Sequence, residues 1–336
     1  MLLASGQTGA QDGAEPHPLF ADDTPLTLKL TAPFNTVARD DDAEEREEYP
    51  AVIEFPGSDG SPSSLDIEVR IRGKSRASYC DFPPLSLDFP RGETSGTVFE
   101  GQNRLKLVVQ CKTGSRYRAY LVKEFLIYRM LNALTDRSFR VRWSNVEFVY
   151  TDSRRPETRI EPAFLIEEDW EAAERLGMEV VDVEKPARES LDFGYTTLLI
   201  LFQYLIANTD WAVIDGPEGE FCCHNGKVLQ KDEGPYVVLA YDFDSSGLVN
   251  AEYAAPTLRQ IRYVTQRLYR GFCIMNDEVE GAIALLNSRR ELLLDILDSD
   301  LLEERDRESA VKFVEGGFEV LNDPKDLERR IYEDCR

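Results

Sequence analysis

The spacing of apolar residues changes character once along this chain, near Glu167, and that change limits the folds open to it. Before Glu167 apolar positions recur every second residue in all runs but one, and after it they recur at helical spacing apart from a short strand pair. Leu26, Leu28 and Leu30 alternate with polar residues, and Leu65, Ile67, Val69 and Ile71 alternate with Asp66, Glu68, Arg70 and Arg72. Each run is expected to be a half-buried strand, the second with its arginines on the open face. Leu85, Leu87 and Phe89 give another strand, and Leu105 to Val109 a further one that carries Lys106 in an apolar run. A lysine there either snorkels outwards or pairs with a carboxylate. Leu121, Phe125, Tyr128, Leu131 and Leu134 recur at helical spacing, so an amphipathic helix is expected over 118–134, with Glu124 in reach of Lys106. Val146 to Tyr150 and Arg159 to Ile166 flank a polar loop at Asp152 and Pro156 and read as a hairpin.

Beyond Glu167 helices are expected over 170–176, 198–206, 258–272 and 278–297, with a polar one from Asp323. A short strand pair lies among them and ends in Tyr236 to Ala240. Strands plus one helix, then helices plus a strand pair, make an α+β layout in two lobes, over about 25–166 and 167–336, hinged near Glu167. Residues 1–24 are rich in Gly, Ala, Gln, Asp and Pro and read as a flexible segment, with neither the basic start nor the long apolar run of a signal peptide. The acidic run from Asp40 to Glu48 reads as a solvated loop.

Charge and cysteines narrow the function. The formal net charge of −23 repels polyphosphate backbones, so nucleic-acid binding is disfavoured, and an anionic nucleotide needs a metal and a few well-placed cations. No apolar run reaches the roughly 20 residues of a spanning helix. Six cysteines are too few for a disulfide scaffold; Cys80 and Cys111, each near a strand, are the pair expected to join if the chain is exported. Cys222, Cys223 and His224 lack zinc-site spacing and are expected to be buried packing. The only histidines are His17 and His224, too few for a His-rich metal site or a Ser/His/Asp hydrolase.

The chemistry concentrates between Asn208 and Asp244. Asn208 Thr209 Asp210 Trp211 follows an apolar helix, His224 Asn225 follows a Gly/Pro loop, and Tyr241 Asp242 Phe243 Asp244 follows a strand. Carboxylates at element ends with an amide oxygen between them suit a hard divalent cation and the phosphates it carries. Singly, each Asp is equally a cap or a turn residue. Upstream, Gly73 Lys74 Ser75 Arg76 ends a strand in a basic turn able to meet an anion.

Over 65–247 the order and spacing of these segments resemble the CotH family of spore-coat protein kinases, in Arg72 Gly73 Lys74 Ser75, Asn208 Thr209 Asp210, His224 Asn225 and Asp242 Phe243 Asp244 Ser245. The resemblance implies a two-lobed, atypical protein-kinase-like fold and a kinase that uses ATP with Mg or Mn to phosphorylate Ser or Thr of an exported or envelope protein. It implies Asp210 as the catalytic aspartate, Asn225 and Asp242 as metal ligands with Asp244 beside them, and Arg72, Lys74 and Lys106 as phosphate cations, Glu124 orienting Lys106. The family carries lysines shortly after the basic turn, whereas this chain reads Pro83 Pro84 Leu85 Ser86 Leu87. Nucleotide anchoring then falls to Lys74 or Lys106, or is lost. A non-catalytic binding or assembly protein, and a transferase of AMP onto proteins, are the alternatives.

Overall fold

The computed structural model describes residues 17–40, 46–57, 60–73 and 75–336, the side chain of Ser75 excepted. Lys74 and most of the acidic run lie outside the described residues.

The first half folds as a barrel. Its strands are β1 (Leu26–Ala32), β2 (Tyr49–Pro56), β3 (Pro62–Ile71), β4 (Leu85–Asp88), β5 (Arg104–Val109), β6 (Val141–Tyr150) and β7 (Glu157–Ile166). They follow one another as β1-β2-β3-β4-β5-β7-β6, and β6 closes back on β1. Closure is parallel, from Leu26 opposite Ser144 to Ala32 opposite Tyr150, and every other pairing is antiparallel. This corrects the two-lobed kinase-like arrangement that the resemblance implies. The fold is α+β, but the strands of its first half form a closed seven-stranded barrel with no free edge. Strand β2, whose Ala51, Ile53 and Phe55 point inwards, is not among the expected strands, and it completes the ring between β1 and β3.

Period-2 alternation gives the barrel wall two apolar faces. Along β7, Ala163 and Leu165 join the barrel core, while Phe164 and Ile166 join the core of the second half. Along β5, Leu105, Leu107 and Val109 point inwards and Val108 outwards. Lys106 has the parity of Val108, which sets it on the outer wall. Two short helices, α1 (Pro18–Ala21) and α2 (Phe34–Val37), pack Leu19, Phe20, Phe34 and Val37 against the barrel core. The described end of the expected flexible segment is therefore part of the fold. Arg142 fastens it by donating to Leu19 O at 3.0 Å, to Thr24 O at 2.9 Å and to Asp22 at 2.9 Å.

Helix α3 (Ser75–Tyr79) adds Ala77 to the barrel core, α4 (Ser115–Leu134) lies against β6 and β7 on the outer wall, and α5 (Asp169–Leu176) and α6 (Phe193–Leu205) follow. Helix α4 is buried on nearly every side, Lys123 and Glu124 included, so it is wider in its apolar contacts than an amphipathic surface helix. Strands β8 (Glu179–Val180), β9 (Gly226–Gln230) and β10 (Val237–Ala240) form a small sheet in the order β10-β9-β8. Helices α7 (Val279–Ser288), α8 (Arg290–Leu297), α9 (Glu304–Asn322) and α10 (Pro324–Leu327) complete the chain.

Beyond Glu167 the observed helices differ in extent from those expected, except the polar one from Asp323, which stands as α10 and the turn that follows it. Glu167 itself is buried, Arg175 binds both its oxygens at 2.9 Å, and it accepts from the Arg140 backbone N–H. The 258–272 stretch is irregular although Ile261, Val264, Tyr269 and Phe272 are buried. Its arginines instead satisfy carbonyls elsewhere, Arg267 donating to Leu205 O at the end of α6, a group that has no partner within its own helix. The single helix over 278–297 is two, parted at Arg289, where the Ser288 hydroxyl turns back to Leu285 O. Asp323 follows the 19-residue α9, whose inner stripe is Ala310, Val314, Phe318 and Leu321, and caps α10.

Three disulfides tie the molecule: Cys80–Cys111, Cys273–Cys335 and the adjacent pair Cys222–Cys223, both buried. The first joins the end of α3 to the chain just beyond β5. No helix among the described residues is long and apolar enough to cross a membrane.

Candidate functional site

A cleft of about 410 Å³ opens between the outer barrel wall and the second half, lined by Lys106 and Val108 of β5, Glu124 and Tyr128 of α4, Arg72 and Arg76 flanking the basic turn, and Lys227, Tyr241 and Asp242. Cations, carboxylates and aromatic rings therefore share one concavity, a combination suited to an anionic ligand with a flat apolar part. A larger hollow of about 730 Å³ lies around the β6–β7 loop, where Asp152 is committed to the backbone N–H groups of Asn35 and Thr36.

Arg76 organises the acidic side. Its Nη2 donates to Glu124 Oε1 at 2.9 Å and to Asp242 Oδ1 at 2.8 Å, and its Nε lies 2.8 Å from Asp244 Oδ2. Three carboxylates thus converge on one guanidinium, and together they hold it well above its ordinary pKa despite its burial. Burial is also what pushes Glu124 up to about 7, against the pull of Arg76. Asp244, buried beside Arg76, is raised for the same reason. Asp242 differs: its side chain is 43% exposed.

Lys106 takes Glu168 at 3.1 Å and stands 5.3 Å from the Phe139 ring centre, with burial holding it below its ordinary pKa. The expected orientation of Lys106 by Glu124 is therefore replaced by two separate pairs, Lys106–Glu168 and Arg76–Glu124. Glu168 reaches Lys106 because β7 pairs with β5, Lys106 opposite Ile166, and runs straight into α5.

Asp210 sits in a second, adjoining cluster. Its Oδ1 is 2.8 Å from His224 Nε2, and Asn225 Nδ2 donates to its backbone carbonyl at 2.7 Å and to Oδ2 at 3.3 Å. The Asn225 carbonyl in turn accepts from the Tyr241 N–H at 3.1 Å, so one residue joins the Asp210 loop to the turn that bears Asp242. The Asp242 N–H donates to Tyr128 Oη at 2.9 Å, which fixes that turn to α4. Asn225 and Asp242 both hold left-handed backbone, φ 52° and 60°, a conformation concentrated at functional sites. From behind, Arg270 donates to Thr209 O at 2.8 Å and to Trp211 O, and its guanidinium lies 4.8 Å from the Trp211 ring. Burial, with Arg336 nearby, pushes Arg270 down to about 10.

Of the residues singled out by sequence, Arg72, Lys106, Glu124 and Asp242 line one cleft, Asp210 and Asn225 connect to it, Asp244 faces Arg76, and Lys74 lies outside the described residues. Arg76, Glu168, Lys227, His224 and Arg270 were not assigned roles there. Arg76 and His224 stood inside the quoted motifs. Glu168 and Arg270 carry no local signal, since tertiary pairing alone brings them in.

The resemblance implies a divalent cation at this site. Among the described residues no three His, Cys, Asp or Glu side chains are grouped to hold a metal ion, and Glu124 and Asp244 are occupied by Arg76. What fits is a cation carried in by phosphates, which needs only one or two protein oxygens. Asp242 is the exposed carboxylate of the three, although its Oδ1 also accepts from Arg76 at 2.8 Å. No known protein family matches the chain, and no curated protein matches it.

Proposed function

We propose that this chain is an ATP-dependent phosphotransferase that moves the terminal phosphate of the nucleotide to a Ser or Thr hydroxyl of a protein, the activity implied by the resemblance to CotH kinases. The observation that carries the reading is the union in one cleft of Arg72, Lys106 and Lys227 with exposed Asp242, coupled through Asn225 to Asp210. Phosphoryl transfer asks mainly for positioning and for neutralised charge, and both are features of such a cleft. In this reading Phe139 and Tyr241 flank the base, the three cations take the phosphates, and Asp210 receives the acceptor's proton while His224 and Asn225 hold its carboxylate in place. Asp242 and Asn225 would hold a divalent cation arriving with the nucleotide, whose chemistry is to neutralise phosphate charge. Arg76 keeps Glu124 and Asp244 compensated behind them. The activity is argued from these groups and not from a kinase fold. Three disulfides, with no free cysteine among the described residues, fit an exported protein folded in an oxidising compartment.

The test is thermal stability with ATP plus Mg or Mn, against each alone, with Asp242→Ala in parallel, followed by transfer of labelled terminal phosphate to an acceptor mixture. A metal-dependent rise that the variant lacks supports the reading, because a ligand of the native state stabilises by mass action. No rise under any condition would discard it. A rise without transfer would leave a nucleotide-binding protein that assembles partners.

A further inference from the structure

The cleft continues past Lys106 into an annex of about 350 Å³ on the outer face of β3 and β4, floored by Ser86. Its lining holds five cations, Arg46, Arg70, Arg72, Arg104 and Lys106, against one carboxylate, Glu168. On a chain of net charge −23 such a concentration works against the overall field, and holding like charges together is unfavourable without an anion between them.

Arg46 makes the annex more than a charged surface. Its Nη1 donates to Ile71 O at 3.3 Å, while among the described residues its Nε and Nη2 are buried and have no hydrogen-bond partner. A buried charged donor left unpaired carries the full penalty of its desolvation. Arg70 is held only loosely, 3.8 Å from Glu48. Lys106 and Arg104 already have carboxylates, Glu168 and Asp88, each at 3.1 Å. Arg46 and Arg70 are therefore the annex cations without a close carboxylate, and neither is among the groups assigned above to the nucleotide.

We infer that the annex is a second anion subsite, which takes a phosphate or carboxylate carried by the protein acceptor and so selects acidic or already phosphorylated segments. This rests on the proposed phosphotransferase reading and names the substrate class for it. The pairing is a charge-assisted contact of Arg46 and Arg70 with the incoming anion, and arginine's planar fork suits both sources. No covalent step is involved.

The experiment measures binding of three fluorescent peptides that share one sequence but carry phosphoserine, glutamate or unmodified serine at the central position. Each is titrated with and without saturating ATP and Mg, against wild type, Arg70→Glu and Arg46→Gln. The expected result is at least tenfold tighter binding of one or both anionic peptides than of the serine peptide, undiminished by nucleotide, and at least a fivefold loss in each variant with the nucleotide-induced stabilisation unchanged. The tighter of the two anionic peptides identifies the source. Arg70 is partly exposed, so its variant keeps the test sound if Arg46→Gln fails to fold. Equal binding of all three peptides, wild-type binding by Arg70→Glu, or displacement of peptide by nucleotide would overturn the inference. Charge-selective binding lost in the variants, in a protein that shows no nucleotide stabilisation, would uphold the subsite and reject the phosphotransferase reading alone.

Discussion

Arg76 Nη2 meets Glu124 Oε1 at 2.9 Å, and the two side chains are 13% and 3% exposed. Helix α3 supplies the cation and α4 the anion, so the pair joins two elements far apart in sequence. Removing one member leaves the other's charge buried, which costs roughly 3–5 kcal/mol. Arg76→Met is expected to destabilise by about that amount, and adding Glu124→Gln to restore part of it, measured by urea unfolding of the single and double variants.

The same carboxylate sets a pH dependence. Glu124 is raised from 4.5 to about 7, so between those values the folded protein keeps a proton that the unfolded chain has lost. Stability therefore falls as pH rises through that window and levels off above it. Glu171, also buried and raised to about 7, adds a slope of the same sign. Glu124→Gln should flatten only the part due to Glu124, so wild type and variant, both neutral at this position near pH 4.5, are expected to diverge in urea midpoint from pH 4.5 to pH 8 as the wild type alone loses that contribution. A difference constant with pH would exclude Glu124 as the titrating group.

Asp210→Asn is expected to lower transfer by about 10²–10⁴-fold, the usual contribution of a proton-accepting group, while leaving nucleotide stabilisation within about twofold of wild type. His224→Ala should give a smaller loss in the same direction, since Asn225 still holds the Asp210 carboxylate. Single-turnover kinetics beside nucleotide titrations separate the two effects.

Arg270→Met removes the donors to Thr209 O and Trp211 O without touching the cleft. The expected outcome is a fall in kcat with nearly unchanged nucleotide affinity, because the 208–211 loop loses its support from behind. Equal losses in both would place Arg270 in general stability instead.

How far the sequence could be read differs between strands, helices and site. Alternation was decisive at Leu26–Leu30 and Leu65–Ile71, where one face meets the barrel core and the other faces out. It could not show that β6 closes on β1, because a parallel pairing across more than a hundred residues leaves no local mark. Helical spacing misled at 258–272, where the apolar residues are buried but Arg267 and Arg270 serve carbonyls of other elements. The site was legible where residues share a turn, as with Asp242 and Asp244. It was opaque where partners are chosen in three dimensions. Lys106 and Glu124 are good partners on paper, yet α3 delivers Arg76 to Glu124 and the end of β7 delivers Glu168 to Lys106.

The parity of β5 has one more consequence. Leu105, Leu107 and Val109 fill the barrel while Lys106 and Val108 face the cleft, so core and site are written on alternate letters of a single strand. Sliding β5 by one residue would bury the ammonium among leucines and turn leucines out to the ligand. Every chain that completes its barrel has thereby already aimed its lysine, and quality control of the ligand site is inherited from the quality control of folding.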